Sequence, residues 1–225
     1  MLADLLSPVP PIPMTHPNSP SAAAGLDLLL QLARAQPIDI ACEHFFFLRH
    51  GQTERNAQRI FQAVGEPLNA TGLEQARRAA TLLATETISS IVCSDVRRAR
   101  DTAELVAARH LLAPMVNTRL RERDFGKLIG TSSRDIDWAC VPEAGETLQA
   151  FVARSRSGLA AALTQPAPTL VVAHGGTLYV LAGLLRIRLD DSLFGNAQPL
   201  RVERHGGAWR ALPLAASTGT AANLA

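Results

Sequence analysis

Pro168-Thr169-Leu170-Val171-Val172-Ala173-His174-Gly175-Gly176 is the stretch that decides the fold. Leu170 to Ala173 is an unbroken apolar run, bounded by Pro168 and Gly175, and a strand buried on both faces of a helix-covered parallel sheet reads this way. Working outward, His44 to Leu48 is an aromatic-rich run that ends in Arg49-His50-Gly51. Ile88 to Cys93 is a third strand, followed by Ser94 with Arg97 and Arg98 just beyond.

Helical patterns alternate with these runs. Thr71 to Thr85 opens with Thr71 and Glu74 in capping-box spacing and then places Leu73, Ala76, Ala80 and Leu83 on one face. Arg97 to Ala108, Thr147 to Leu163 and Leu178 to Leu185 read as further helices, Met115 to Thr118 as an edge strand, and Leu200 to Val202 and Trp209 to Leu212 as closing strands. The alternation predicts an α/β protein, a three-layer α/β/α sandwich with a mostly parallel central sheet. Ligands of such sheets bind at the carboxyl ends of the strands.

The ends of the chain read differently. Residues 1–40 are expected to form a flexible Pro-rich arm (Pro8, Pro10, Pro11, Pro13, Pro17, Pro20) with a short helix over Asp27 to Ala35 stopped by Pro37. Residues 41–214 form one catalytic domain, and 215–225 a disordered tail. The chain has 225 residues, 47% of them hydrophobic, enough for one substantial core. Its 22 basic and 20 acidic residues leave a net charge of +2 with no basic run, which argues against a nucleic-acid partner. Cys42, Cys93 and Cys140 lack the spacing of a zinc site or a disulfide framework, so a reducing cytoplasm is the expected location. Neither Lys nor Arg precedes Arg34, and Leu28 to Leu32 is soon interrupted by Arg34 and Pro37. No secretory signal and no membrane span are expected.

The chemistry lies at the three strand ends, which present Arg49, His50, Arg98 and His174. Guanidinium forks match phosphate oxygens, imidazole acts as donor or nucleophile, and Gly51, Gly175 and Gly176 allow backbone N–H groups to approach an anion at helix starts. A small phosphate ester is therefore the expected partner.

These residues belong to longer blocks: LRHGQTERN (Leu48 to Asn56), then Arg59, Pro67-Leu68 and TGLEQA (Thr71 to Ala76); SDVRRARDTAE (Ser94 to Glu104); LRERDFG (Leu120 to Gly126); AGETL (Ala144 to Leu148); and VVAHGGT (Val171 to Thr177). In that order they resemble the histidine phosphatase superfamily, also called phosphoglycerate mutase-like. The resemblance implies that His50 is the nucleophile that becomes phosphohistidine, and that Arg49, Arg98 and His174 complete the phosphate pocket with Gly175. It also implies that Asn56 binds the phosphate or the group attached to it and that Glu122 is the proton donor, with Asp124 as the alternative. Gln62, Gly145 and Glu146 match positions near the rim. No cofactor and no metal are implied. Gln52, Ala63, Asp101 and Thr147 depart from the family's common pattern without removing a catalytic group.

Competing readings follow from the same residues. The segment between Gly126 and Gly145 is too short for the long lid of the cofactor-dependent mutases. Hydrolysis thus stands ahead of phosphoglycerate mutase activity, and ahead of a non-catalytic phosphate-ligand-binding module. A two-histidine, one-carboxylate metal site from His50, His174 and Glu122 would place a cation beside Arg49 and Arg98, which is repulsive. Glu122 could instead pair with Arg121 or Arg123. His16, His44, His110 and His205 read as structural, Arg97 and Arg100 as solvated or capping charges, and Cys93 as a small core residue. The sequence does not choose between monomer and homodimer, nor among phosphate esters.

Overall fold

A computed structural model of the chain describes residues 20–134 and 136–215; the first part of the Pro-rich arm and the tail from residue 216 lie outside the described residues. The elements are α1 (Pro20–Arg34), β1 (His44–Arg49), α2 (Glu54–Ala57), α3 (Ala70–Leu83), β2 (Ser90–Cys93), α4 (Arg97–His110), β3 (Met115–Val116), α5 (Leu148–Ala162), β4 (Thr169–Ala173), α6 (Gly175–Leu185), β5 (Pro199–His205) and β6 (Ala208–Pro213).

Six strands form one sheet in the order β3-β2-β4-β1-β5-β6. β3, β2, β4 and β1 are mutually parallel, and the β5–β6 hairpin adds antiparallel pairings at the β1 edge. Strand β4 inserts between β2 and β1, so the three strands that end in histidine, serine and histidine are neighbours. Alternate side chains leave opposite faces of the sheet, as the pleat requires. Phe45, Phe47, Val92, Val171 and Ala173 join one core with α1, α5 and α6. Phe46, Leu48, Ile91, Cys93, Leu170 and Val172 join the other with α3 and α4. The architecture is thus a three-layer α/β/α sandwich.

Local signals and local structure part company at three places. α3 is capped not by Thr71 but by Asn69, whose side chain accepts the N–H of Gly72; Thr71 already lies in the first turn. A side-chain oxygen at Asn69 reaches a free N–H of the first turn just as Thr71 would have done, and sequence spacing alone cannot rank the two. α6 starts at Gly175 rather than Leu178, directly after the strand, because both glycines accept helical backbone angles there. α1 begins at Pro20, well before Asp27, and its Leu29 and Ala33 are fully buried under α6 and α5. Among the described residues no helix is long and apolar enough to cross a membrane.

Candidate active site

The parallel ladder continues one residue past each strand. The N–H of His50 donates to the carbonyl of Ala173 at 3.0 Å, and the N–H of Ser94 to that of Val172 at 3.0 Å. His50, Ser94 and His174 are therefore set side by side by backbone pairing alone. The His50 and His174 rings meet edge to face with centroids 5.2 Å apart, close enough for one tetrahedral anion to touch both.

Each ring is oriented by its neighbours. Nδ1 of His50 lies 2.7 Å from the carbonyl oxygen of Gly51. A carbonyl can only accept, so Nδ1 carries the hydrogen and Nε2 keeps its lone pair. The Nε–H of Arg98 donates to that Nε2 at 3.2 Å. Burial, and then the charges of Arg98 and Arg49, hold the His50 pKa well below the ordinary imidazole value. His174 is held low in the same way, by burial first and then by Arg98, His50 and Arg49. Two neutral imidazoles thus stand among two guanidiniums; even with its pKa lowered by burial to about 10, Arg98 stays charged at neutral pH.

The supports of this group come from several elements. Arg49 donates from Nη1 to the carbonyl of Phe194 at 2.7 Å, and Arg98 from Nη1 to that of Ala63 at 3.0 Å. Thr102 joins the two halves: its hydroxyl accepts the N–H of Gly51 at 3.0 Å and donates to the carbonyl of Arg98 at 2.7 Å. Asn196 donates to the carbonyl of His50, and Ser94 Oγ lies 2.9 Å from Nε2 of His174. None of Thr102, Asn196 or Phe194 is singled out by the sequence patterns, because a bridging hydroxyl and two loop residues carry no periodic signal. Ser94 was visible only as a strand end.

Glu122 enters from the segment before Gly126. Its Oε2 accepts the N–H of Gly176 at the start of α6 at 2.9 Å, and its Oε1 accepts the N–H of Arg123 at 2.9 Å. A Cβ at position 176 would collide with this carboxylate, so the second glycine of the His174-Gly175-Gly176 run makes room for it. The expectation that Glu122 might pair with Arg121 or Arg123 side chains is replaced by other partners. Arg121 is bound to Asp95, while the guanidinium of buried Arg123 is consumed by the carbonyls of Trp138, Cys140 and Glu146.

Arg49, Arg98, Asn56, Gln62, Glu122 and Gly175 line one open cleft; His50 and His174 are buried and are not among its lining residues. Asp124, the alternative donor, is exposed, accepts the N–H of Gly126, and is not among the cleft-lining residues. Gly145 and Glu146 do not line the cleft directly, although the carbonyl of Glu146 accepts from cleft-lining Arg123. Glu146 forms a two-point pair with Arg154 at 2.7 and 2.9 Å, and Arg154 also donates to the carbonyls of Arg119, Arg121 and Glu122. The pair braces the backbone that carries Glu122. Tyr179, stacked on Phe194 with centroids 4.7 Å apart, lines the cleft beside Arg49, and burial pushes its hydroxyl up to about 12. Arg97 pairs with Asp101 as a surface charge, and Cys93 is a buried core thiol. Among the described residues no group of three or more His, Cys, Asp or Glu is placed to hold a metal ion.

Residues 45–216 match the family model of the histidine phosphatase superfamily, branch 1. The chain belongs to that superfamily. A glucosyl-3-phosphoglycerate phosphatase of Mycolicibacterium vanbaalenii is 33% identical over 186 residues, covering 70% of this chain and 83% of that protein. An agropine synthesis reductase of Rhizobium rhizogenes is 36% identical over 177 residues, which are 73% of this chain but 40% of the reductase, so the chain spans only about two fifths of that protein's length. The solved structure of a mycobacterial glucosyl-3-phosphoglycerate phosphatase with VO3 superposes with a TM-score of 0.65 at 29% identity, covering 78% of this chain and 99% of that one. Histidine phosphatases with hydrolase names thus stand beside this chain, and phosphoglycerate mutases appear among its relatives at comparable identity.

Proposed function

We propose that this histidine phosphatase hydrolyses small phosphate monoesters in two displacements, without a metal, through phosphohistidine at His50 and with Glu122 as proton donor. The observation that carries the reading is the tautomer of His50: Nδ1–H is committed to the carbonyl of Gly51, so Nε2 presents a lone pair on the side of Arg98. In the first step Nε2 attacks phosphorus, the P–O ester bond breaks, and the leaving oxygen takes the proton of Glu122. In the second, water attacks phosphorus, the P–N bond breaks, and the water's proton returns to Glu122. The carbonyl of Gly51 stabilises the positive ring that exists between the two steps.

Phosphoryl transfer asks mainly for alignment and for neutralisation of the equatorial oxygens, which Arg49, Arg98 and His174 supply here. Three of the six buried polar side-chain atoms without a partner among the described residues are Arg49 Nε, Asn56 Oδ1 and His174 Nδ1. Orphans are rare in folded proteins, and their concentration in one place fits a site whose ligand satisfies them. Both oxygens of Glu122 already accept one backbone N–H, but a carboxyl group has about four lone-pair sites, so room for the acid proton remains.

Hydrolysis is favoured over mutase chemistry by the short Gly126–Gly145 segment, which is tied down rather than free to close: Phe61 N–H bonds Thr131, Gly130 N–H bonds Phe61, and Ser133 N–H bonds Arg59. The test is phosphate release from a panel of monoesters in EDTA, with alkaline-detergent quenching to trap labelled protein. Wild type is expected to turn over and to carry alkali-stable, acid-labile phosphate, and His50→Ala to do neither. Hydrolysis by His50→Ala at the wild-type rate would discard the mechanism, and primer-dependent phosphoglycerate interconversion exceeding phosphate release would make the protein a mutase.

A further inference from the structure

The cleft does not end at the phosphate site. Beyond Arg98 and Glu122 its walls are Ile60, Phe61, Phe125, Ile136, Trp138 and, from a different part of the chain, Leu26 of α1. Phe61 and Phe125 are packed with centroids 4.2 Å apart, and Trp138 meets Phe125 edge to face at 5.6 Å. Arg123 beneath them is spent on backbone carbonyls and lies 5.5 Å from the Phe125 ring centroid, so it stiffens the wall rather than offering a charge to a ligand. The N-terminal part of α1 lies directly on this wall: a Cβ at Gly25 would collide with the backbone of Trp138 and Ala139. α1 spans Pro20–Arg34, ahead of the residues 45–216 that match the family model, so Leu26 reaches this wall from outside the matched region while its other residues lie within it.

Resting on the phosphatase reading, we infer that this compartment is the leaving-group site, and that it selects phosphate monoesters whose alcohol carries an aromatic or comparably bulky apolar body. The phosphate end supplies the anchor, since the guanidiniums of Arg49 and Arg98 line the same cleft and are complementary to a dianion. The other end supplies the apolar side chains of Leu26, Ile60, Phe61, Phe125, Ile136 and Trp138, with Arg59, Ser133 and Arg134 also on the lining. Small polar alcohols would leave that surface wet, whereas a ring esterified to the bound phosphate removes it from water. The N-terminal helix contributes to the cleft through Leu26 and through its packing against Trp138, which the short Gly126–Gly145 segment supplies.

The test compares 2-phenylethyl phosphate with ethyl phosphate, two alkyl esters that differ chiefly by the ring. A single methylene in such a pocket is worth roughly 10–200-fold in kcat/KM, so at least about tenfold in favour of the phenylethyl ester is expected here. Leu26→Ala is expected to reduce the ratio of the two kcat/KM values about threefold or more, and Leu26→Met to restore it, on the same scale. Equal kcat/KM for the two esters in wild type, or a ratio untouched by Leu26→Ala in protein of unchanged melting temperature, would overturn the inference while leaving the phosphatase reading intact. A second readout needs no turnover. With Trp209→Phe, Trp138 is the sole tryptophan, and its fluorescence should report 2-phenylethylphosphonate binding about tenfold tighter than ethylphosphonate. Ring-selective binding without hydrolysis of either ester would uphold the inference and sink the phosphatase reading.

Discussion

Buried His50, Ser94 and His174, the floor of the candidate site, hang from three adjacent parallel strands whose hydrogen-bond ladder fixes their spacing. At its mouth, Leu26, Phe61, Phe125 and Trp138 arrive on a helix and two loops held to one another by a few bonds and by ring packing. The floor tolerates almost no displacement, because reacting groups must be placed to within fractions of an ångström. The mouth tolerates exchange of one apolar side chain for another, because burial is non-directional. The proposed mechanism therefore places chemistry where the backbone is most constrained, and the proposed selectivity where it is least.

That contrast can be broken most sharply at His50. His50→Ala is expected to lower kcat/KM for every ester by about 10⁴-fold or more, as loss of a covalent nucleophile does, measured by phosphate release; a smaller loss would move the nucleophile elsewhere. Glu122→Gln should cost about 10²–10⁴-fold on alkyl phosphates but much less on p-nitrophenyl phosphate, whose leaving group needs no proton. Equal losses on both substrates would strip Glu122 of its acid role. Arg98→Ala should cost about 10²–10³-fold irrespective of the alcohol, a uniformity that separates floor from mouth. If the loss instead tracked the alcohol, the division between the two regions would fail.

Smaller effects test how the two are connected. Arg154→Met removes the brace on the carbonyls of Arg119, Arg121 and Glu122 and unpairs Glu146. It is expected to lower kcat about tenfold on alkyl esters with KM nearly unchanged, and to reduce the difference between alkyl and aryl esters as Glu122 drifts. A change in KM alone would make Arg154 merely structural. The smallest effect is on stability. His50 and His174 resist protonation in the folded chain, so below the ordinary imidazole value the unfolded chain binds more protons and stability falls as pH falls. Lowering the pH from about 7.5 to 5.5 should therefore depress the melting temperature of wild type a few degrees more than that of His174→Asn, by calorimetry. Identical slopes would show that His174 is not held neutral.

The floor was legible in the sequence because its determinants are local. An unbroken apolar run, a His and two glycines in succession specify a buried strand that ends at His174, and the same logic at Arg49-His50-Gly51 and at Ser94 placed the other strand ends. Thr71 misled as the helix cap because Asn69 offers an equivalent oxygen two residues earlier. For Glu146 the resemblance indicated only nearness to the rim; that its carboxylate pairs with Arg154 is a long-range contact which no local pattern shows.

The sequence by itself determined the alternation of elements and the placing of Arg49, His50, Arg98 and His174 at strand ends, which follow from periodicity, while Glu122 came only from the family resemblance. Only the tertiary structure decided that Nε2 of His50 is the free nitrogen, that Glu122 rather than Asp124 reaches the cleft, and that Leu26 of an N-terminal helix belongs to its wall. These depend on partners distant in the chain, a carbonyl orientation, a glycine in another helix and a tryptophan more than a hundred residues away, and no local pattern encodes which distant surfaces will meet.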